Sequence, residues 1–287
     1  MKKLLCMGVI LGSVALAGCD FEEAAPPQMV ARNESRPLGD EKALAADVSY
    51  DIGSLEIAAD SSGKLYSLDM EYDKVGFEPE IRYDAAGAGE GRLVLKLEGT
   101  RKFRLRHERR TNRIRLNLSE RIPLELKVQA GVGEARLFLS RLRLKRLEME
   151  SGVGGSRISA YDPNPEVCEK IRLRSGVGSM DAVGLGNLNF RELDFEGGVG
   201  GASLDLSGEW KQDASLRIEV GVGGVTLRMP RELGVRVEGE KHFLSGFQLE
   251  RFVKRDSDYY SENYDSAAIR VLVRVQTGVG GFRITWI

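Results

Sequence analysis

The sequence predicts an all-β protein, a single-stranded right-handed β-solenoid with coils of about 21–24 residues. Three observations predict it. A Gly-Val-Gly tripeptide recurs at Gly131-Val132-Gly133, Gly152-Val153-Gly154, Gly176-Val177-Gly178, Gly198-Val199-Gly200, Gly221-Val222-Gly223 and Gly278-Val279-Gly280. Apolar residues alternate with polar ones on both sides of each copy. Apolar spacing of three and four residues, the mark of an amphipathic helix, is absent over useful lengths.

The first five valines stand 21, 24, 22 and 23 residues apart, and the sixth follows after 57, room for one further coil and an insertion. Repetition at this period marks stacked coils, each too small to bury its own apolar face. Six residues before the valines stand Leu126, Leu147, Ile171, Leu193, Leu216 and Val273, and four before stand Val128, Met149, Leu173, Phe195, Ile218 and Val275. Alternation at period two is that of a half-buried strand. After the valine the phase slips by one, to Ala135, Ser156, Met180, Ala202, Val225 and Phe282. A slip of one residue sends a straight strand's side chains to the wrong face. The chain is therefore expected to turn a corner at the second glycine, where a residue free to take positive φ is needed. The glycines of all six tripeptides are the candidate structural corners, and the valines are expected to point into the shared apolar interior. A degenerate copy surrounds Ile52, with Asp51 in place of the first glycine.

The N-terminus sets the compartment. Lys2 and Lys3 precede an apolar run from Leu4 to Leu16, and Leu16-Ala17-Gly18-Cys19 resembles the lipobox of bacterial lipoproteins. The run is short for a bilayer span and reads as a signal segment. Cys19 is the expected lipidation site, giving a protein of the bacterial cell envelope, lipid-anchored on the periplasmic or extracellular face. Asp20 resembles the enterobacterial signal for inner-membrane retention.

The domain plan follows. Residues 1–19 are the signal, and 20–44, polar and containing Pro26, Pro27 and Pro37, a flexible tether. Residues 45–287 are the solenoid, with irregular coils over 45–120, regular coils over 121–230, an insertion over 231–268 and a final coil over 269–287. The alternative for 64–120 is a small separate sheet packed on the solenoid. Trp286 is a candidate cap for the open end.

The text Gly-Val-Gly-(Gly/Ser/Ala)-x-φ-x-φ, carried best by Gly152–Gly155, Gly198–Gly201, Gly221–Gly224 and Gly278–Gly281, resembles the toast-rack β-solenoid domains. These include the C-terminal domain of LiaF-like cell-wall-active-antibiotic response proteins and related adhesin-type domains. The motif specifies architecture and says little of function; it is the repeat itself that points to a scaffold and away from a catalytic pocket. LiaF-like members carry N-terminal transmembrane helices and restrain a sensor kinase, whereas this chain has the lipobox.

Chemistry is sparse. With 42 Lys+Arg against 43 Asp+Glu the formal charge is −1, which argues against nucleic acid. Two histidines, His107 and His242, and one cysteine outside the signal and lipobox, Cys168, offer no metal spacing and no triad. No cofactor and no catalytic residue is assigned. Alternating carboxylates (Asp69, Glu71 and Asp73; Glu148 and Glu150) read as solvated strand faces. They leave, as the rival reading, a β-helix enzyme acting on polysaccharide. Two surfaces are candidates for contact. A basic run of Arg101, Lys102, Arg104, Arg106, Arg109, Arg110, Arg113 and Arg115 could meet an anionic headgroup or polymer. Tyr259, Tyr260 and Tyr264 could stack on sugars or a protein. The expected function is that of a non-catalytic envelope interaction or scaffold protein, adhesin-like or in envelope-stress signalling. Its partner is the membrane, through the lipid, and an unidentified envelope protein or anionic or polysaccharide polymer.

Overall fold

The computed structural model describes residues 26–100, 111–239 and 246–287. Cys19, Asp20, most of the basic run and both histidines lie outside them. The described chain is a β-solenoid built from one 16-stranded sheet, with no α-helix among the described residues.

In chain order the strands are β1 (Met29–Pro37), β2 (Ala43–Asp60), β3 (Lys64–Asp73), β4 (Phe77–Ala86), β5 (Glu90–Gly99), β6 (Arg113–Ser119), β7 (Pro123–Phe138) and β8 (Arg143–Ser159). There follow β9 (Cys168–Val183), β10 (Phe190–Asp205), β11 (Ala214–Met229), β12 (Gly234–Gly239), β13 (Phe247–Leu249), β14 (Phe252–Arg255), β15 (Asp258–Ser261) and β16 (Arg270–Trp286). Seven of them (β2, β7, β8, β9, β10, β11 and β16) are long strands bent at the tripeptide or its equivalent, stacked in parallel. Each is one coil. The register is continuous: Ile52 lies opposite Val132, then Val153, Val177, Val199, Val222 and Val279.

Burial follows the phase slip. In β10, Leu193 and Phe195 point inward before the corner, and Ala202 and Leu204 after it. The same positions in every coil form one continuous aliphatic core. The residues two before the valine fill the inside of the corner: Ala130, Ser151, Ser175, Val220 and Thr277 are buried. Small side chains suit that narrow apex.

The valines do not join them. Val132, Val153, Val177, Val199 and Val222 are 45–51 % exposed and Val279 68 %. The expectation that they point into the core is overturned. The positive-φ glycine after each valine bends the backbone there, so the valine sits on the convex side of the turn, and the inward row ends two residues earlier.

Stack order departs from chain order at both ends. β5 pairs with the first half of β2 and β6 with its second half, so together they make one split coil. β3 and β4 cover that coil in antiparallel fashion. The described parts of 64–120 are thus continuous with the solenoid, but they lie outside β2 instead of between β2 and β7. At the far end β16 inserts between β11 and the split coil of β12 and β13. The last coil in sequence is therefore not the last in the stack. β15 and β14 finish that end, and Trp286 stacks on Phe252 with ring centroids 5.5 Å apart.

The tether reading also fails in part, because residues 29–37 are a strand, β1, paired antiparallel with β3. Its polar side chains close the N-terminal end of the core. The Tyr66 hydroxyl donates to Glu34 at 2.7 Å, and the Arg36 guanidinium lies 4.0 Å from the Tyr83 ring centre. A strand that caps a core through a carboxylate and a cation carries no aliphatic alternation, so it reads as linker.

Candidate functional surface: the glycine–valine corner and its groove

The corner is built from glycines because nothing else fits. The second glycines take φ between 133° and 148° at Gly133, Gly154, Gly178, Gly200, Gly223 and Gly280. A Cβ on any of them would stand 1.6–1.9 Å from the carbonyl oxygen of the corner glycine one coil away. The first glycines are also closed in: a Cβ on Gly198 would lie 2.4 Å from the Gly176 oxygen. Both positions are excluded sterically, and the second also by φ.

The outer surface of the corner is thus a valine ladder with a bare glycine row on each side. Valine suits the ladder, since β-branched side chains favour extended backbone and pack on their in-register neighbours. Val279 has no described valine beyond it in the stack, which accounts for its greater exposure. In β8, β10, β11 and β16 a further glycine follows (Gly155, Gly201, Gly224 and Gly281), so the face carries no charge over four residues.

Beside the ladder lies a groove of about 530 Å³ crossing β9, β10, β11 and β16. Gly201, Gly224 and Gly281 form its floor, with Ser203 and Thr226 alongside, and it is bounded by Asp181, Gln248 and Arg283. Neither Asp181 nor Arg283 has an ion-pair partner among the described residues. The outer face before the corner differs: Glu148 pairs with Arg172 at 3.3 Å, Lys170 with Asp194 at 2.8 Å and Arg174 with Glu196 at 2.9 Å.

The family model for the N-terminal domain of toast_rack, DUF2154, matches residues 26–182 and 162–228. The chain belongs to the toast-rack family. No curated protein matches this toast-rack chain. Among solved structures it is similar to a proposed cell adhesion protein of Clostridium sporogenes, at 21 % identity and TM-score 0.47, covering 91 % of this chain and 100 % of that one. It is also similar to a proposed adhesin of Bacteroides fragilis, at 12 % identity and TM-score 0.39, covering 90 % and 97 %. A third is a proposed lipid-binding protein of Parabacteroides distasonis, at 12 % identity and TM-score 0.36, covering 90 % and 96 %. Likeness at these levels transfers no function.

The other candidate residues of the toast-rack chain fall in separate places. Of the basic run, only Arg113 and Arg115 lie within the described residues. They are on β6, where Arg113 is 3.8 Å from Glu71 and Arg115 is in register with Asp69. The tyrosines are half-buried in the C-terminal cap. Tyr260 meets Tyr264 edge-on at 4.9 Å, with Arg255 at 5.0 Å from its ring centre and Arg236 at 5.7 Å. Lys254 lies over Tyr259 and Arg270 over Tyr264. These rings fasten the cap and do not form an open stacking platform. Three of the candidate carboxylates are engaged as well: Asp73 accepts from Gln28 N at 2.7 Å, and Glu71 and Glu148 lie beside Arg113 and Arg172 as above. Cys168 is fully buried, and burial pushes its thiol up to about 12. A nucleophile needs the thiolate, so this cysteine is inert at neutral pH.

No helix among the described residues is long and apolar enough to cross a membrane. No cluster of possible metal ligands occurs among them. The groove and the outward valines were not legible in the sequence. The fourth-position glycines were the one available signal, because a side chain missing from several successive coils leaves a trench.

Proposed function

We propose that this toast-rack protein is a non-catalytic component of the bacterial cell envelope, anchored by lipid on Cys19, that acts through contacts made by its corner face. The observation that carries the reading is the ladder of exposed valines in register, flanked by glycine and uncharged over most coils. A contiguous exposed apolar stripe on a protein with an ample core is the usual mark of a contact surface. The engagement of Glu71, Asp73 and Glu148 and the burial of the Cys168 thiol support a role without catalysis. Adhesion or a scaffold role in envelope-stress signalling is the finer form of the same reading.

The test is binding of the labelled, non-lipidated protein (Cys19→Ala) to isolated envelopes. The variant Val177→Gln/Val199→Gln/Val222→Gln is expected to keep its fold by circular dichroism and to bind at least tenfold more weakly. Equal binding by variant and parent would count against the corner face. Release of new reducing ends from envelope polysaccharide would overturn the non-catalytic reading.

A further inference from the structure

We propose that a second copy of this chain docks on the open edge of β1, strand antiparallel to strand, about a two-fold axis through Asn33. Among the described residues β1 is the outermost strand of the sheet at the N-terminal end and pairs only with β3. Lys74 N donates to Gln28 O just beyond the strand. By antiparallel alternation the even-numbered residues of β1 then bond to β3, and the N–H and C=O groups of Ala31, Asn33 and Ser35 face the free edge.

Those groups are a template for another strand, and the side chains around them are self-complementary. Pairing about Asn33 sets Ala31 opposite Ser35 of the second copy and Asn33 opposite itself. Arg32 then lies opposite Glu34 of the second copy, and Glu34 opposite its Arg32. The Arg32–Glu34 pairs occupy non-hydrogen-bonded sites, where facing side chains approach most closely. Within one chain the same two residues already attract, at 3.3 Å. The outward row, Ala31, Asn33 and Ser35, is exposed, small and uncharged, so two copies meet there without repulsion. Pro37, the strand's one residue without an N–H, falls at the end of this register.

The other open edges are guarded. β4 carries Pro79 within the strand and charges at Glu78, Glu80, Arg82 and Asp84. β13 is only three residues long, and β14 only four, ending in Lys254 and Arg255. Short, charged or proline-bearing edges resist pairing. A two-fold contact through β1 closes on itself, giving a dimer and not a fibre. About six main-chain hydrogen bonds with a small buried area fit a dissociation constant in the micromolar range.

Sedimentation velocity of the Cys19→Ala protein from 5 to about 500 µM tests this, on the expectation of a micromolar interface. A reversible monomer–dimer equilibrium is expected. Arg32→Glu and Glu34→Arg should each weaken it at least tenfold, because each sets two like-charged pairs across the axis. The double variant Arg32→Glu/Glu34→Arg should restore it, although it also loses the Tyr66 contact, which separates rescue from folding. Asn33→Pro should abolish it, with melting temperature as the folding control. A monomer at every concentration, a dimer indifferent to these changes, or growth beyond dimer would each overturn the proposal.

Discussion

A Cβ placed on Gly200 would stand 1.7 Å from the carbonyl oxygen of Gly178, one coil away. That distance explains why the second glycine of the tripeptide is repeated through the stack: each corner backbone rests on the next with no room for even a methyl group.

Gly200→Ala therefore combines overlap with a φ of 143° that alanine does not tolerate, and should cost about 3 kcal/mol or more. Gly155→Ala is the control. It belongs to the same glycine-rich text, yet a Cβ there meets nothing within 4 Å. It should change stability by less than about 0.5 kcal/mol. Urea unfolding of the two variants checks the contrast.

Val199 and Leu204 lie five residues apart on one strand, but only Leu204 is buried. Val199→Thr should leave stability within about 0.5 kcal/mol. Leu204→Ala should lose about 2–5 kcal/mol through the cavity it opens. Equal losses would show that the valine ladder is structural after all.

Cys168 gives an alkaline prediction. Its thiol, ordinarily near 9, titrates near 12 in the folded chain because burial penalises the thiolate. Between those values the unfolded state has lost a proton that the folded state keeps, so stability falls as pH rises. Cys168→Ala should flatten that fall in thermal melts between pH 9 and 11. Native Cys168 should resist iodoacetamide at pH 8 and react once urea unfolds the chain.

At acid pH the relevant group is Glu166. Burial alone would raise its pKa, but hydrogen bonds and charge from Arg143 and Lys145 outweigh burial and hold it below its usual value. Arg143 Nε donates to it at 3.0 Å. The lowered pKa makes this stability present above about pH 4.5 and lost as pH falls through the folded value. Glu166→Gln should destabilise by about 1–2 kcal/mol at pH 7 and lose less than the parent below pH 4.5. Melting temperature against pH reads both effects.

The period of the glycines and the alternation of apolar residues were enough to derive coils, strands and the core from Leu193, Phe195 and Leu204 and their equivalents, because these are local patterns that one chain direction and a period of two express directly. The same text was silent on which way Val199 faces. Up to the corner its position follows the buried parity, and the corner made by Gly198 and Gly200, packed on Gly176 and Gly178, leaves the side chain in solvent. The order of the stack was equally hidden. Strand pairing across long loops, such as β16 entering between β11 and β12, is a contest among distant partners decided by which edges match. The strand β1 was read as a linker because its side chains serve Tyr66 and Tyr83 at the end of the core, a task set by its place in space and not by its own hydrophobicity. Residue periodicity thus determined what each coil is, while the tertiary structure decided where its corner points and what it lies beside.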